Sequence, residues 1–323
     1  MSANQLFCST IIPTVGRSTL SRAVWSVLDQ DVGAGCEVVV VNDSGRPLPQ
    51  ADWHSSPRVK VVATNRRERS FARNTGAAMA SGEYLHFLDD DDWLLPGALK
   101  AFHTLAAETG GAWLMGAFRF VDDDGRTIRD CHPDYAGNCF IRTMVGEWLP
   151  LQASLIRADV FFPLGGFAPL ESLLGGDEDV DLARLVTLRH DVRVVDRLVA
   201  AIRRGYASST TQYDNLVEQS RQSRDKVLGL PGAFSRLHHS AHAQRFGAAY
   251  WHGRLVTCYL GSLRWNLRRG RFFTAASRGS YALAGLALCS RHIFSRSLWS
   301  GLTDVDLLKG LALTPWQRRP RAG

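Results

Sequence analysis

No CxxC pair, no GxGxxG and no apolar run near the roughly 18–20 residues of a spanning helix occurs in these 323 residues. Each gap excludes a class of protein. Without paired spacing, the six cysteines (Cys8, Cys36, Cys131, Cys139, Cys258 and Cys289) suggest neither a zinc site nor a disulfide framework, and they are expected as reduced thiols in a cytoplasmic compartment. Without a glycine-rich loop after the first strand, a dinucleotide cofactor is disfavoured. The N-terminus has no basic segment followed by an apolar one, so neither secretion nor membrane spanning is expected. Acid is scarce in one place only: residues 1–200 hold 26 Asp/Glu against 19 Lys/Arg, whereas residues 201–323 hold 5 against 19. The net charge of +7 therefore belongs to the last third.

What is present is an alternation of short apolar runs and helical stretches. FCSTII (7–12) and CEVVVV (36–41) read as β-branched strands around a helix, STLSRAVWSVLDQ. VKVVA (59–63) and YLHFL (84–88) repeat the unit around SFARNTGAAMAS, a helix that Gly82 is expected to end. Near-continuous apolar strands alternating with helices predict an α/β fold with a mostly parallel sheet covered on both faces. After residue 110, AWLMGAFRFVDDDGRTIRD reads as two strands joined by an Asp-Gly turn, followed by a loop-rich stretch to about 150 and then QASLIR and a helix; GGDEDVDLARLVTLRH reads as a helix with an acidic first turn, and VRVVD (192–196) as a further strand. Beyond about 206 strand signals fade, and Trp251, Leu255, Tyr259 and Leu263 fall at helical spacing. Two regions are expected: an α/β domain over 1–205 and a basic, mostly helical region over 206–323.

In parallel sheets ligands bind beyond the carboxyl ends of the strands. The residues following the strands are Pro13-Thr14, Asn42-Asp43-Ser44, Asn65-Arg66-Arg67 and Asp89 to Asp92. The last set lies in FLDDDDW, where four like charges in a row require either solvent or a cation. A second acidic run, VDDDGRT (121–127), is read as a solvated hairpin turn. FLDDDDW differs because it ends a strand of the parallel portion and precedes LLPGALKAFHTL, whose Pro96 suits a helix's first turn. Carboxylates there suit Mg²⁺ or Mn²⁺ shared with substrate phosphates; a solvated loop is the competing reading.

Over about residues 7–205 the chain resembles the family 2 glycosyltransferases of the GT-A fold, carried in order by STIIPTVGR, VVVVNDSG, ARNTGAAMASGEYLHFLDDDDW, GGF and GDEDVDLARL. The resemblance implies an inverting, metal-dependent transfer from a nucleotide-sugar donor to a glycan or lipid-linked acceptor in cell-surface glycan synthesis. It implies that Thr14 and Asp43 line the base pocket, that Arg73 lies near the base or diphosphate, and that Asp89 and Asp90 face the ribose or the metal's outer shell. Asp91 would be the metal ligand of a DxD motif, Asp92 a cap of the following helix, and Asp179 the catalytic base. Plainer roles stand beside these: Asp43 in an Asx-turn before Gly45, Arg73 as a surface helix residue paired with Glu68 or another acid, Asp179 as one first-turn charge among several.

Two departures accompany the resemblance. An Arg-x-His common near the domain's end is replaced by AIRRGYASS, and GGF is followed by Ala-Pro. A non-catalytic sugar-nucleotide or glycan-binding module on the same scaffold is the alternative reading, and a nucleotidyltransferase fits poorly because STIIPTVGRST holds one glycine and one arginine. In 206–323, arginines interleave with Trp251, Trp265, Phe272, Phe273, Phe294, Trp299 and Trp316. That suits a packed helical subdomain, an anionic membrane surface on the cytoplasmic side, or both; no nucleic-acid partner is expected.

Overall fold

A computed structural model describes residues 6–32, 35–169, 178–204 and 213–303. Close contacts divide the chain into two units: residues 1–137 with 149–206, and residues 138–148 with 207–323.

The first unit is built on a nine-stranded sheet. Strands β1 (Cys8–Thr14), β2 (Cys36–Asn42), β3 (Val59–Ala63) and β4 (Tyr84–Phe87) are parallel in the order β3-β2-β1-β4. Their connections hold α1 (Leu20–Leu28) and α2 (Arg69–Ala78). β1, β2 and β4 are buried along nearly their whole lengths, as apolar strands between two covering layers must be. Gly76 lets α2 come down onto the sheet: a Cβ there would lie 2.4 Å from Ile11 and 2.8 Å from Val41. That contact accounts for the glycine in ARNTG without invoking a ligand.

The order then changes hand. β5 (Trp93–Leu94) and α3 (Ala98–Thr109) lead to β6 (Trp113–Val121), which pairs with the hairpin strand β7 (Thr127–Cys131). Past the short α4 (Phe140–Met144), β8 (Ser154–Arg157) runs antiparallel to both β4 and β6, and joins the two halves of the sheet. After α5 (Ala158–Phe161) and α6 (Glu178–Thr187), β9 (Val192–Arg203) runs parallel to β6 and pairs at its end with β5. The strand expected at 192–196 thus continues to Arg203, because Val199–Ile202 is buried between neighbours.

Two local expectations are corrected. α2 ends at Ala78, four residues before Gly82, where the chain turns toward β4. α3 begins after Gly97, a left-handed residue with φ of 76°, so Pro96 stands outside its first turn. Trp93 and Leu94, directly after the acidic run, form the short strand β5.

The second unit's described residues are helical: α4, α7 (Tyr213–Leu228), α8 (Ala233–His238), α9 (Ala241–Arg268, broken at Gly247), α10 (Phe272–Cys289) and α11 (Arg296–Thr303). Trp251, Leu255, Tyr259 and Leu263 fall on α9 as their spacing predicts. Ala249, Val256, Cys289 and Leu298 bring α9, α10 and α11 together, and Gly253 faces Gly301 where two backbones nearly touch. Inside this unit Glu147 accepts from Arg142 (2.5 Å) and Arg254 (3.1 Å), while Arg142 also donates to His242. Burial, then the positive charge of Arg142 and Arg254, pushes the His242 pKa down to about 3, so the ring is the neutral acceptor that Arg142 requires.

Candidate active site

At the carboxyl ends of β1, β2 and β4 the strand-end residues meet as the parallel topology requires. Thr14 and Asp90 meet directly: the buried Thr14 hydroxyl donates to Asp90 Oδ2 (2.5 Å) and accepts from the Gly16 amide (2.9 Å). Arg17, from the loop after β1, donates to Asp90 Oδ1 at 2.8 Å and lies 3.1 Å from Asp91 Oδ2. Burial, reinforced by the neighbouring charges of Asp91 and Asp89, holds the Asp90 pKa above the ordinary carboxylate value despite Thr14 and Arg17.

Asp43 is buried, with both its oxygens engaged. Oδ1 accepts from Thr64 Oγ1 (2.7 Å) and from the amides of Arg66 (3.0 Å) and Arg67 (2.9 Å), and Oδ2 accepts from the Glu68 amide (2.7 Å). One carboxylate at the end of β2 therefore shapes the loop entering α2. The Asx-turn belongs to Asn42, whose Oδ1 accepts from the Ser44 amide.

Arg73 is the hub. Its guanidinium spans two carboxylates, Glu178 (2.7 Å) and Asp89 (2.8 Å), and sits 5.4 Å from the Phe167 ring of GGF. Glu68 is not its partner; that side chain caps α2 by accepting from the amides of Ser70 and Phe71. The second Asp89 oxygen accepts from Gln152 Nε2 (2.8 Å). Burial works against the Asp89 charge, but Arg73, Arg69 and the Gln152 hydrogen bond together hold its pKa below the ordinary value.

Asp91 keeps a partly exposed carboxylate, flanked by Arg17 and, at 3.9 Å, by Arg203 at the end of β9. Asp92 does not cap α3. It is buried and accepts from the Arg203 amide (2.6 Å), so it fastens the acidic run to β9. Burial, then the charge of Asp89, raises its pKa well above the usual range, and the single backbone hydrogen bond does not offset this.

Glu178 and Asp179 open α6 with different surroundings. Glu178 is 3% exposed and clamped by Arg69 (2.6 Å) and Arg73. Asp179 is half-buried and accepts from the Val180 amide (2.9 Å). Gly176 and Asp177 of GDEDVDLARL, and Gly205 to Ser209 of AIRRGYASS, lie outside the described residues.

Among the described residues no three His, Cys, Asp or Glu side chains form a metal-binding group. The donor set fits a hard divalent cation only in the manner of Mg²⁺ or Mn²⁺, with one protein carboxylate and the remaining positions filled by water and phosphate oxygens. Asp91, partly exposed and paired only with arginines, is the carboxylate that fits.

Several participants carried little signal in the sequence. Gln152 comes from a segment with no motif, and Glu178 stands inside GDEDVDLARL with no role of its own in the sequence. Arg17 and Arg203 stood inside quoted segments, the second in the very stretch marked as a departure. Arg203 also lies 3.2 Å from Asp123, so the two acidic runs share a cation. The turn itself is as expected: Asp122 accepts from the amides of Asp124 and Arg126, and Gly125 has φ of 80°.

Known proteins resemble this chain in sequence and in fold. Residues 9–162 match the family described as Glycosyl transferase family 2. Poly(ribitol-phosphate) beta-N-acetylglucosaminyltransferase TarP of Staphylococcus aureus is 31% identical over 127 residues, 37% of this chain and 38% of that protein. Succinoglycan biosynthesis protein ExoO of Rhizobium meliloti is 34% identical over 114 residues, 34% and 32% of the two chains. A GalNAc(5)-diNAcBac-PP-undecaprenol beta-1,3-glucosyltransferase of Campylobacter jejuni is 33% identical over 115 residues, 33% and 37%. The matched segment thus spans between about a third and two fifths of these relatives' length. In structure, S. aureus TarS in complex with UDP-GlcNAc superposes with a TM-score of 0.60 at 16% identity, over 87% of this chain and 92% of that one. The fold is therefore the GT-A type with a helical C-terminal region.

Proposed function

We propose that this protein, whose residues 9–162 match glycosyltransferase family 2, transfers a sugar from a nucleotide-sugar donor to an acceptor hydroxyl, inverting the anomeric centre, in the synthesis of a cell-surface glycan or glycoconjugate. One observation carries the reading: the Arg73 guanidinium binds Asp89 of the acidic run and Glu178 of α6 together, which ties the run that holds the metal-ligand candidate to the start of the helix that holds the base candidate. A binding module would not need Asp179 kept half-exposed beside a Glu178 already paired with Arg69 and Arg73.

Asp179 takes the proton from the acceptor hydroxyl as that oxygen attacks the anomeric carbon. Displacement in a single step leaves a nucleoside diphosphate and needs no covalent nucleophile. Asp91 would hold Mg²⁺ or Mn²⁺, which supplies Lewis-acid stabilisation of the leaving diphosphate when bound. Arg17 and Arg203 flank that position and add positive charge where the leaving group forms. Thr14 and Asp43 shape the base side, Asp43 through the loop that it organises, and Asp89 and Asp90 face the ribose.

UDP-GlcNAc, bound in the TarS structure, is the first donor to test. A lipid-linked or polymeric glycan is the acceptor class, supported by the relatives' names. The described cysteines are all free, which supports action on the reducing, cytoplasmic side, peripheral to the membrane.

The test is transfer and donor hydrolysis with Mn²⁺ across a donor panel. Asp179→Asn should lower transfer by about 10²–10⁴-fold, the span of a general base, and leave Mn²⁺-dependent nucleotide titration nearly unchanged. Asp91→Ala should weaken that titration instead. Full transfer by Asp179→Asn would reject Asp179 as the base.

A further inference from the structure

α10 has an inward face that is buried and, opposite it, an outward face that is apolar and exposed. Ala275, Arg278, Ala282 and Cys289 lie inward and are buried. Half a turn around the helix, Phe273, Ser280, Leu283, Ala284, Ala287 and Leu288 form an outward stripe with no ionisable side chain. Phe273 is 96% exposed and Leu283 68%, and just past the helix Phe294 is wholly exposed. A helix that faces water carries charge on that face; one that is apolar all round is covered by something apolar. At 18 residues α10 is about 27 Å long. No helix among the described residues is long and apolar enough to cross a membrane, so the stripe lies along a surface if it meets lipid.

Charge names the surface. Residues 241–303 hold nine arginines and no Asp, Glu or Lys. Arg268, Arg269 and Arg271 stand exposed before α10, and Arg291 and Arg296 stand exposed after it, so cations bracket both ends of the uncharged stripe. Arg269 stacks 3.7 Å over Trp265, an aromatic of the kind that favours headgroup level. A second copy seated on the same face would bring two arginine sets together without a compensating acid. An anionic leaflet supplies both an acyl boundary for the stripe and headgroups for the arginines.

We propose that the outward face of α10, continued through Phe294, docks on an anionic lipid bilayer surface with the flanking arginines at headgroup level. This refines the membrane-peripheral reading above and rests on it, but its test needs no catalysis.

The full-length chain is sedimented with phosphatidylcholine vesicles, with and without phosphatidylglycerol. Binding should be at least about tenfold stronger on the anionic vesicles and fall with added salt. Phe273→Ser combined with Leu283→Ser and Phe294→Ser should lower it at least about tenfold, with the thermal midpoint and vesicle-free donor hydrolysis unchanged. Arg269→Gln with Arg271→Gln should weaken binding and flatten its salt dependence. The Asp179→Asn chain should bind vesicles as the wild type does, which separates failure of the surface from failure of the chemistry. Equal binding to both vesicle types, or undiminished binding by the triple variant, would overturn the proposal. So would self-association in vesicle-free buffer that the triple variant reverses, since a second copy would then be the occupant.

Discussion

The two aspartate runs, Asp89–Asp92 and Asp122–Asp124, have nearly the same composition and unlike surroundings. In the first, Asp90 and Asp92 are buried and every carboxylate has a side-chain or backbone donor drawn from another part of the chain: Thr14, Arg17, Arg73, Gln152 or Arg203. In the second, Asp122 accepts from amides of its own turn and Asp124 pairs with Arg126 two residues away, both largely exposed. A run at the end of a central strand is surrounded by other strand ends, whereas a run at a hairpin tip is surrounded by water. Depth in the sheet, not acidity, makes one of them a candidate site.

The most damaging way to break that contrast is to remove the cation between the first run and α6. Arg73→Met leaves Glu178, 3% exposed, with Arg69 alone and strips one oxygen of Asp89. Uncoupling a buried pair by deleting one partner costs about 3–5 kcal/mol. Urea unfolding of the variant should show a loss of that order, and a loss under about 1 kcal/mol would mean that the bridge does not hold the crevice together. No comparable substitution exists in the hairpin run.

A second test uses charge against burial. The Asp92 pKa lies above its unfolded value of 3.8, so folding takes up a proton and the ionised form is a liability once the pH exceeds the folded pKa. Asp92→Asn keeps an oxygen for the Arg203 amide and removes the liability. Below pH 3.8 the two proteins should melt alike, and as the pH rises toward the folded pKa the variant should melt progressively higher. His86 works in the opposite direction in both proteins. Buried between Thr10 and the Gln152 carbonyl, it has its pKa pushed down to about 4 by burial, so its neutral form favours folding above the unfolded value of 6.5, and that contribution fades as pH falls toward 4. Because His86 is common to both chains, only the difference between the two melting curves isolates Asp92.

These residues mark how far the sequence could be read. β-Branched runs, the helix between β1 and β2 and the Asp-Gly hairpin were legible because each is a local pattern, and strand-end aspartates were legible because topology sends them to one edge. The family resemblance gave roles to positions but could not show their partners. Arg73 was read as a donor contact, yet its neighbours lie 16 and 105 residues away in sequence, a pairing that no spacing rule encodes. Asp43 was read as a base contact, whereas its four hydrogen bonds go to residues 64–68. Asp92 was assigned to the helix ahead of it because capping is a local rule; the donor it found is on β9. What escaped was long-range pairing, which depends on which strand ends meet.

The smallest expected effect sharpens the comparison most, because Asp123 is the one member of the hairpin run that reaches the first. It lies 3.2 Å from Arg203, the residue that also approaches Asp91, but its side chain is half-exposed and Arg203 is itself a third exposed. An ion pair that open contributes less than about 1 kcal/mol and is screened by salt. Asp123→Ala should therefore change unfolding free energy by less than about 0.5 kcal/mol, and shift the midpoint of the Mn²⁺-dependent nucleotide titration by less than about threefold. A tenfold shift with stability unchanged would correspond to about 1.4 kcal/mol delivered to the site through Arg203. In that event the hairpin would be part of the donor crevice, and the division between a working run and a solvated one would lie between Asp123 and Asp124 instead of between the two loops.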